Sequence, residues 1–193
     1  MKKITILFMC LFLSGCSSIF SQIWGNKYYK SDVTFIMLNE DGSKKYPRPS
    51  DAVLFASLKW DYFSYRYDAG NAIVGMPIIT YEHSDEMIKK LVIFLKWAKL
   101  PYEEQLITLN ETQNSLPNNT PNKPNGKTST TDFFLFHDNE KKPYLTFKRN
   151  PSYFSLFPDM YFSISTDSAV NMIHEIFYIQ KMRRAYEQEH NLK

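Results

Sequence analysis

Apolar residues recur along this chain with two different periods, and the change of period divides it into elements. Asp32 to Leu38 (DVTFIML) is short and β-branched, the pattern of a first strand, and Asn39-Glu40-Asp41-Gly42 supplies turn residues after it. Pro47 and Pro49 mark a loop. Ala52 to Trp60 and Asp61 to Tyr67 are rich in apolar and aromatic residues, and the second run is expected to pair with Ala72 to Tyr81 across Asp68-Ala69-Gly70-Asn71. Gly75 and Pro77 predict a bulge or an edge position in that last run. From Ser84 to Leu100 the period lengthens. Met87, Ile88, Leu91, Phe94, Leu95 and Ala98 fall at i, i+3, i+4 spacing, the signature of a helix with one buried face. Ser84 is its expected cap, Asp85 and Glu86 and later Lys96 and Lys99 suit the dipole, and Pro101 ends it.

The pattern then lapses. Between Asn110 and Thr130 the chain reads NETQNSLPNNTPNKPNGKTST, with Leu116 alone appreciably apolar, and a flexible loop is expected there. Thr131–Phe136 and Pro143–Lys148 read as a hairpin around His137-Asp138-Asn139-Glu140, and Met160–Ser165 as another strand. A second long helix is expected from Ser168 to about Glu189, capped by Thr166 or Asp167. Its core face would be Ala169, Val170, Ile173, Ile176 and Phe177. Aligning the two helices matches Met87 to Ala169, Leu91 to Ile173 and Phe94 to Ile176. Two similar halves would give that match, and so would the amphipathic pattern all such helices share. The fold class is α+β: an antiparallel sheet of about six strands with two long amphipathic helices packed on one face, in a single domain over residues 31–193.

The first residues belong to a different kind of segment. Lys2 and Lys3 precede a ten-residue stretch, Ile4 to Leu13, that is apolar except for Thr5. That is about half the length a bilayer-spanning helix needs, and positive start plus short apolar run reads as a secretory signal peptide. It ends in Leu13-Ser14-Gly15-Cys16, which resembles the lipobox of bacterial lipoproteins. The resemblance covers residues 1–16 and implies cleavage before Cys16, a diacylglycerol thioether on its sulfur and acylation of the new amine. Ser17 stands where an Asp would retain an enteric lipoprotein at the inner membrane, so the outer membrane is implied, with the protein facing the periplasm. Residues 16–30 would then be a lipidated tether. Cys10 leaves with the signal and Cys16 is consumed, so neither a disulfide nor a cysteine-based metal or redox site is expected.

Composition narrows the remaining choices. Processing removes Lys2 and Lys3 and so lowers the formal charge of +3 by two, leaving no electrostatic footprint for nucleic acid. The four histidines, His83, His137, His174 and His190, form no H-E-x-x-H, and no metal or other cofactor is expected. G-x-S-x-G and phosphate-binding glycine loops are missing. Asp61, Asp68 and Glu82 read as solvated strand ends. The residue groupings that catalysis requires are absent, and a non-enzymatic role is expected.

Aromatics make up 16% of the chain, and here they form the candidate contact surface. In Asp61–Tyr67 the alternation puts Tyr62 and Arg66 on one sheet face, Tyr65 and Tyr67 on the other. Tyr and Arg are enriched at binding hot spots, which makes Tyr62, Tyr65, Arg66 and Tyr67 candidates. Tyr153 and Phe154, in a Pro-bracketed loop (Asn150–Pro158), are candidates too. The expected function is a lipid-anchored protein that binds a protein partner in the envelope, as an accessory to an assembly or secretion system. An immunity lipoprotein neutralising a periplasm-acting toxin is the alternative within that class, and an envelope hydrolase or a small-molecule or lipid carrier is the alternative outside it.

Overall fold

A computed structural model describes residues 26–39, 41–45, 48–68, 73–76, 78–117, 133–149 and 160–192. Eight strands form one antiparallel sheet: β1 (Asn26–Leu38), β2 (Ser50–Ser57), β3 (Tyr62–Asp68), β4 (Ile73–Gly75), β5 (Ile79–Thr80), β6 (Phe133–His137), β7 (Pro143–Arg149) and β8 (Met160–Ile164). Among the described residues three α-helices accompany it: α1 (Ser84–Ala98), α2 (Tyr102–Ser115) and α3 (Thr166–Glu189). The order across the sheet is β4-β3-β2-β1-β8-β7-β6, and β5 pairs with β3 beyond the end of β4. The α+β class agrees with the sequence, but there are more strands than six and a third helix. Each long helix follows a three-stranded meander, β2–β3–β4 before α1 and β6–β7–β8 before α3. The two meanders lie side by side in the same order, with β1 between them.

β1 joins the halves because it is long enough to pair twice. Asn26–Lys30 and Thr34–Phe35 pair with β2, whereas Ile36–Leu38 pair with β8. The strand therefore begins before Asp32 and takes up the last residues of the expected tether. Between Lys30 and Thr34 the register shifts in a bulge, which frees backbone groups from the ladder. Helix α3 supplies their partners from one face, at i, i+3 and i+7. Ser168 Oγ accepts the Thr34 N–H (3.1 Å) and donates to Thr34 O (3.0 Å). Asn171 donates to Asp32 O (2.9 Å). The Glu175 carboxylate accepts the Asp32 N–H (3.0 Å) and the Ser31 hydroxyl (2.9 Å). Each such bond contributes about 1 kcal/mol net, and together they seat α3 on the bulge.

The core lies between this helix layer and one sheet face. Val33, Phe35, Leu54, Phe63, Tyr65, Leu145, Phe147, Phe162 and Ile164 meet Met87, Leu91, Phe94 and Trp97 of α1 and Ala169, Met172, Ile176 and Ile179 of α3, all buried. The predicted face of α1 is largely the observed one, with Ile88, Leu95 and Ala98 at its margin. That of α3 is rotated: Val170 and Phe177 are exposed, and Met172 and Ile179 replace them. Caps differ as well. Ser165 caps α3 by accepting from Ser168 N, while Ser84 turns its hydroxyl back to Tyr81 O.

Helix α2 covers Tyr102–Ser115, where the sequence pattern gave only the end of one helix and the start of a loop. Pro101 ends α1 and also starts α2, since a proline is tolerated where a helix begins. Glu103 and Glu104 then favour the positive end of the dipole. Gln105 is the only fully buried residue of this helix, so no apolar stripe announces it.

Candidate binding surface

Helices cover one face of the sheet, and the opposite face of its first half carries the residue types singled out in β3. Tyr28, Phe55 and Ser64 lie in one cross-strand row, with Lys30, Val53 and Arg66 in the next. The Arg66 guanidinium sits 4.0 Å over the Phe55 ring, and Tyr28 and Tyr62 flank that ring at 5.5 and 6.1 Å. Phe55 is only 4% exposed on a face that no described helix covers, while Tyr28 is 52% exposed. Tyr62 is anchored by donating to Asn26 Oδ1 (3.0 Å) at the start of β1. Burial first, then the charge of Asp61, raises the Tyr62 pKa above its usual 10.0, so its hydroxyl stays a neutral donor. The result is a cation over an aromatic platform rimmed by tyrosines, suited to holding apolar and acidic groups together.

The second half of the same face has its own aromatic group. Leu38, Asn39, Phe134, Phe136, Thr146 and Tyr161 line a shallow depression of about 310 Å³. Phe134 packs edge-on against Phe136 (6.2 Å) and Tyr161 (5.9 Å). Beside them Thr146 and Ser163 satisfy each other by a hydroxyl–hydroxyl bond of 2.8 Å. The sequence reading did not single out Phe134, Phe136, Tyr161, Tyr28 or Phe55. Alternation in Phe133–His137 and Met160–Ile164 was the available signal, with Leu135 and Phe162 on the core side.

The candidate residues separate. Tyr62 and Arg66 come together on the helix-free face. Tyr65 does not join them: it is fully buried on the helix side against Phe35 and Phe63, so it is a core residue and not a contact residue. Its pKa is pushed well above 10.0, by burial and then by Glu175. The Tyr67 backbone pairs with Ala52 and Val74. Cys16, Tyr153 and Phe154 lie outside the described residues. So does most of the expected 110–130 loop, of which Asn110–Ser115 is helical.

His137 and Asp138 are occupied in structural contacts. His137, expected in the hairpin loop, ends β6 and is wedged between Trp97 (4.9 Å) and Tyr102 (5.1 Å). Gln105 donates its amide to Leu100 O (2.7 Å) and Ala98 O (3.2 Å), which turns its oxygen toward His137 Nε2 at 2.6 Å. That ring nitrogen therefore carries the proton. Burial lowers the His137 pKa below 6.5 against the opposing pull of Asp138. Asp138, buried as well, accepts the Glu140 and Lys142 N–H groups, both at 2.9 Å. Among the described residues no three His, Cys, Asp or Glu side chains converge as metal ligands would. No described helix is long and apolar enough to cross a membrane.

No family model and no curated protein matches the chain. A solved structure of SsgB, described in connection with longitudinal cell division during sporulation of Streptomyces coelicolor, is distantly similar. It shares 7% identity over 84% of this chain and 97% of its own, with a TM-score of 0.45.

Proposed function

We propose that this is a lipid-anchored lipoprotein of the bacterial outer membrane, facing the periplasm. It would work by binding another protein, as an accessory to an envelope assembly or secretion system. The observation that carries this reading is Leu13-Ser14-Gly15-Cys16 directly behind a charged start and a short apolar run. Acyl chains on Cys16 bury methylenes at about 0.8 kcal/mol apiece, and more than one chain gives stable anchoring. The ten-residue step from Cys16 to Asn26 spans at most about 35 Å, which keeps the sheet near the bilayer. The helix-free face with Tyr28, Tyr62 and Arg66 is the surface offered to the partner, and its aromatic and guanidinium groups are the types that dominate binding energy.

Affinity purification of the C-terminally tagged full chain from gently crosslinked membranes tests this, with Cys16→Ala and Arg66→Ala as comparisons. A protein recovered with the native chain and lost with both variants supports the reading. Recovery of a toxin instead of a resident complex would select the immunity role. Labelling with radioactive palmitate reads the anchor separately: no label on the native chain overturns it.

A further inference from the structure

At the outer edge of β6 a side chain stands in for a neighbouring strand. Among the described strands β6 pairs with β7 alone. On the other side Gln113 of α2 donates its amide to Phe133 O (2.8 Å) and accepts the Leu135 N–H (2.6 Å). Those are the two bonds that one residue of a parallel neighbouring strand would make. Gln105, two turns earlier on the same helix face, holds His137 at the other end of the strand. α2 thus runs along the edge, antiparallel to β6. An uncovered edge here would be a hazard, because Phe133-Phe134-Leu135-Phe136 has no charge, no proline and no bulge. Leu106 and Ile107 in the first half of α2 are exposed and Gln105 is its one fully buried residue, while Leu109 and, just past the helix, Leu116 pack on the core.

We infer that Gln113 is an edge lock, a strand surrogate that keeps β6 from pairing with the β6 of a second copy of this chain. The committed occupant is a second copy because the edge is self-complementary. Two β6 strands meeting antiparallel about a twofold axis at Phe134 extend both sheets, set Phe134 beside its own counterpart and pair Phe133 O with the Leu135 N–H of the second copy. The groups such a dimer needs first, Phe133 O and Leu135 N–H, are the ones Gln113 occupies. This inference does not depend on the lipid anchor.

The test is the protein mass per particle of the full chain in detergent, measured by light scattering over a hundredfold concentration range. The native chain is expected to give one copy per micelle throughout. Gln113→Ala should give two copies at the upper concentrations. Gln113→Asn keeps an amide on the helix but is one methylene too short to span both groups, and it should behave like the alanine variant. It carries the test if Gln113→Ala fails to fold. Adding Phe134→Lys to either variant should restore one copy, because it sets like charges beside each other across the new pair. One copy for folded Gln113→Ala and Gln113→Asn would overturn the inference. So would association that Phe134→Lys does not reverse, since the contact would then lie elsewhere.

Discussion

Glu175 offers the sharpest check on how α3 is held to the sheet. Its carboxylate takes the Ser31 hydroxyl on both oxygens at 2.9 Å and the Asp32 N–H at 3.0 Å, at the bulge where β1 passes from one half of the sheet to the other. Glu175→Ala leaves the Asp32 N–H and Ser31 without these partners, which should cost about 2–3 kcal/mol. For a domain of this size that is a fall in Tm of about 4–10 °C. Glu175→Gln keeps one acceptor oxygen and should cost about 1 kcal/mol. The two also differ from the native chain in pH dependence. Burial raises the Glu175 pKa above 4.5, outweighing the bonds from Asp32 and Ser31 that lower it. The native state then holds this proton more tightly than the unfolded chain. Its contribution is greatest at or below pH 4.5 and is lost as pH rises through the raised native value. Urea unfolding followed by the fluorescence of buried Trp60 and Trp97 can be run at intervals from pH 4 to 8. The gap between native and Glu175→Gln stability should narrow as pH rises. A gap that widens with pH would show a carboxylate stabilised in its charged form, and would refute burial as the dominant effect.

Gly42 has φ of +82°, and a Cβ there would lie 2.9 Å from Asn139 Oδ1 and 3.1 Å from His137 O. Gly42→Ala should therefore cost about 1–3 kcal/mol, read as a lower urea midpoint with unchanged slope. His137 has the opposite linkage to Glu175: its lowered pKa means stability falls as pH drops from 6.5 towards the native value. Carbon-detected NMR titration should place its midpoint below 6.5, and a midpoint above it would contradict a buried neutral ring. Tyr62→Phe removes the bond to Asn26 Oδ1 and should cost about 0.5–1.5 kcal/mol by thermal unfolding. Arg66→Ala uncovers Phe55 and should change the urea midpoint little, while abolishing partner recovery in the membrane pull-down.

Much of this protein follows from local pattern. Met87, Leu91 and Phe94 announce α1 by spacing alone, because a helix buried on one side must repeat its apolar residues with the helical period. Alternation in Asp61–Tyr67 likewise divides Tyr62 and Arg66 from Phe63 and Tyr65. Tertiary structure decided the rest. Which face of β3 meets the helices depends on neighbours far along the chain, so Tyr65 passed for a contact residue although it is core. α2 escaped notice because Gln105 and Gln113 hold it by hydrogen bonds to Leu100, His137, Phe133 and Leu135, and polar residues with distant partners leave no periodic trace. The β1 bulge is hidden for the same reason. Ser168, Asn171 and Glu175 are a polar stripe in the sequence and become partners of Asp32 and Thr34 only when α3 is laid across the sheet. Apolar burial repeats along the chain and is readable there; pairing between specific polar groups exists only once the chain has closed on itself.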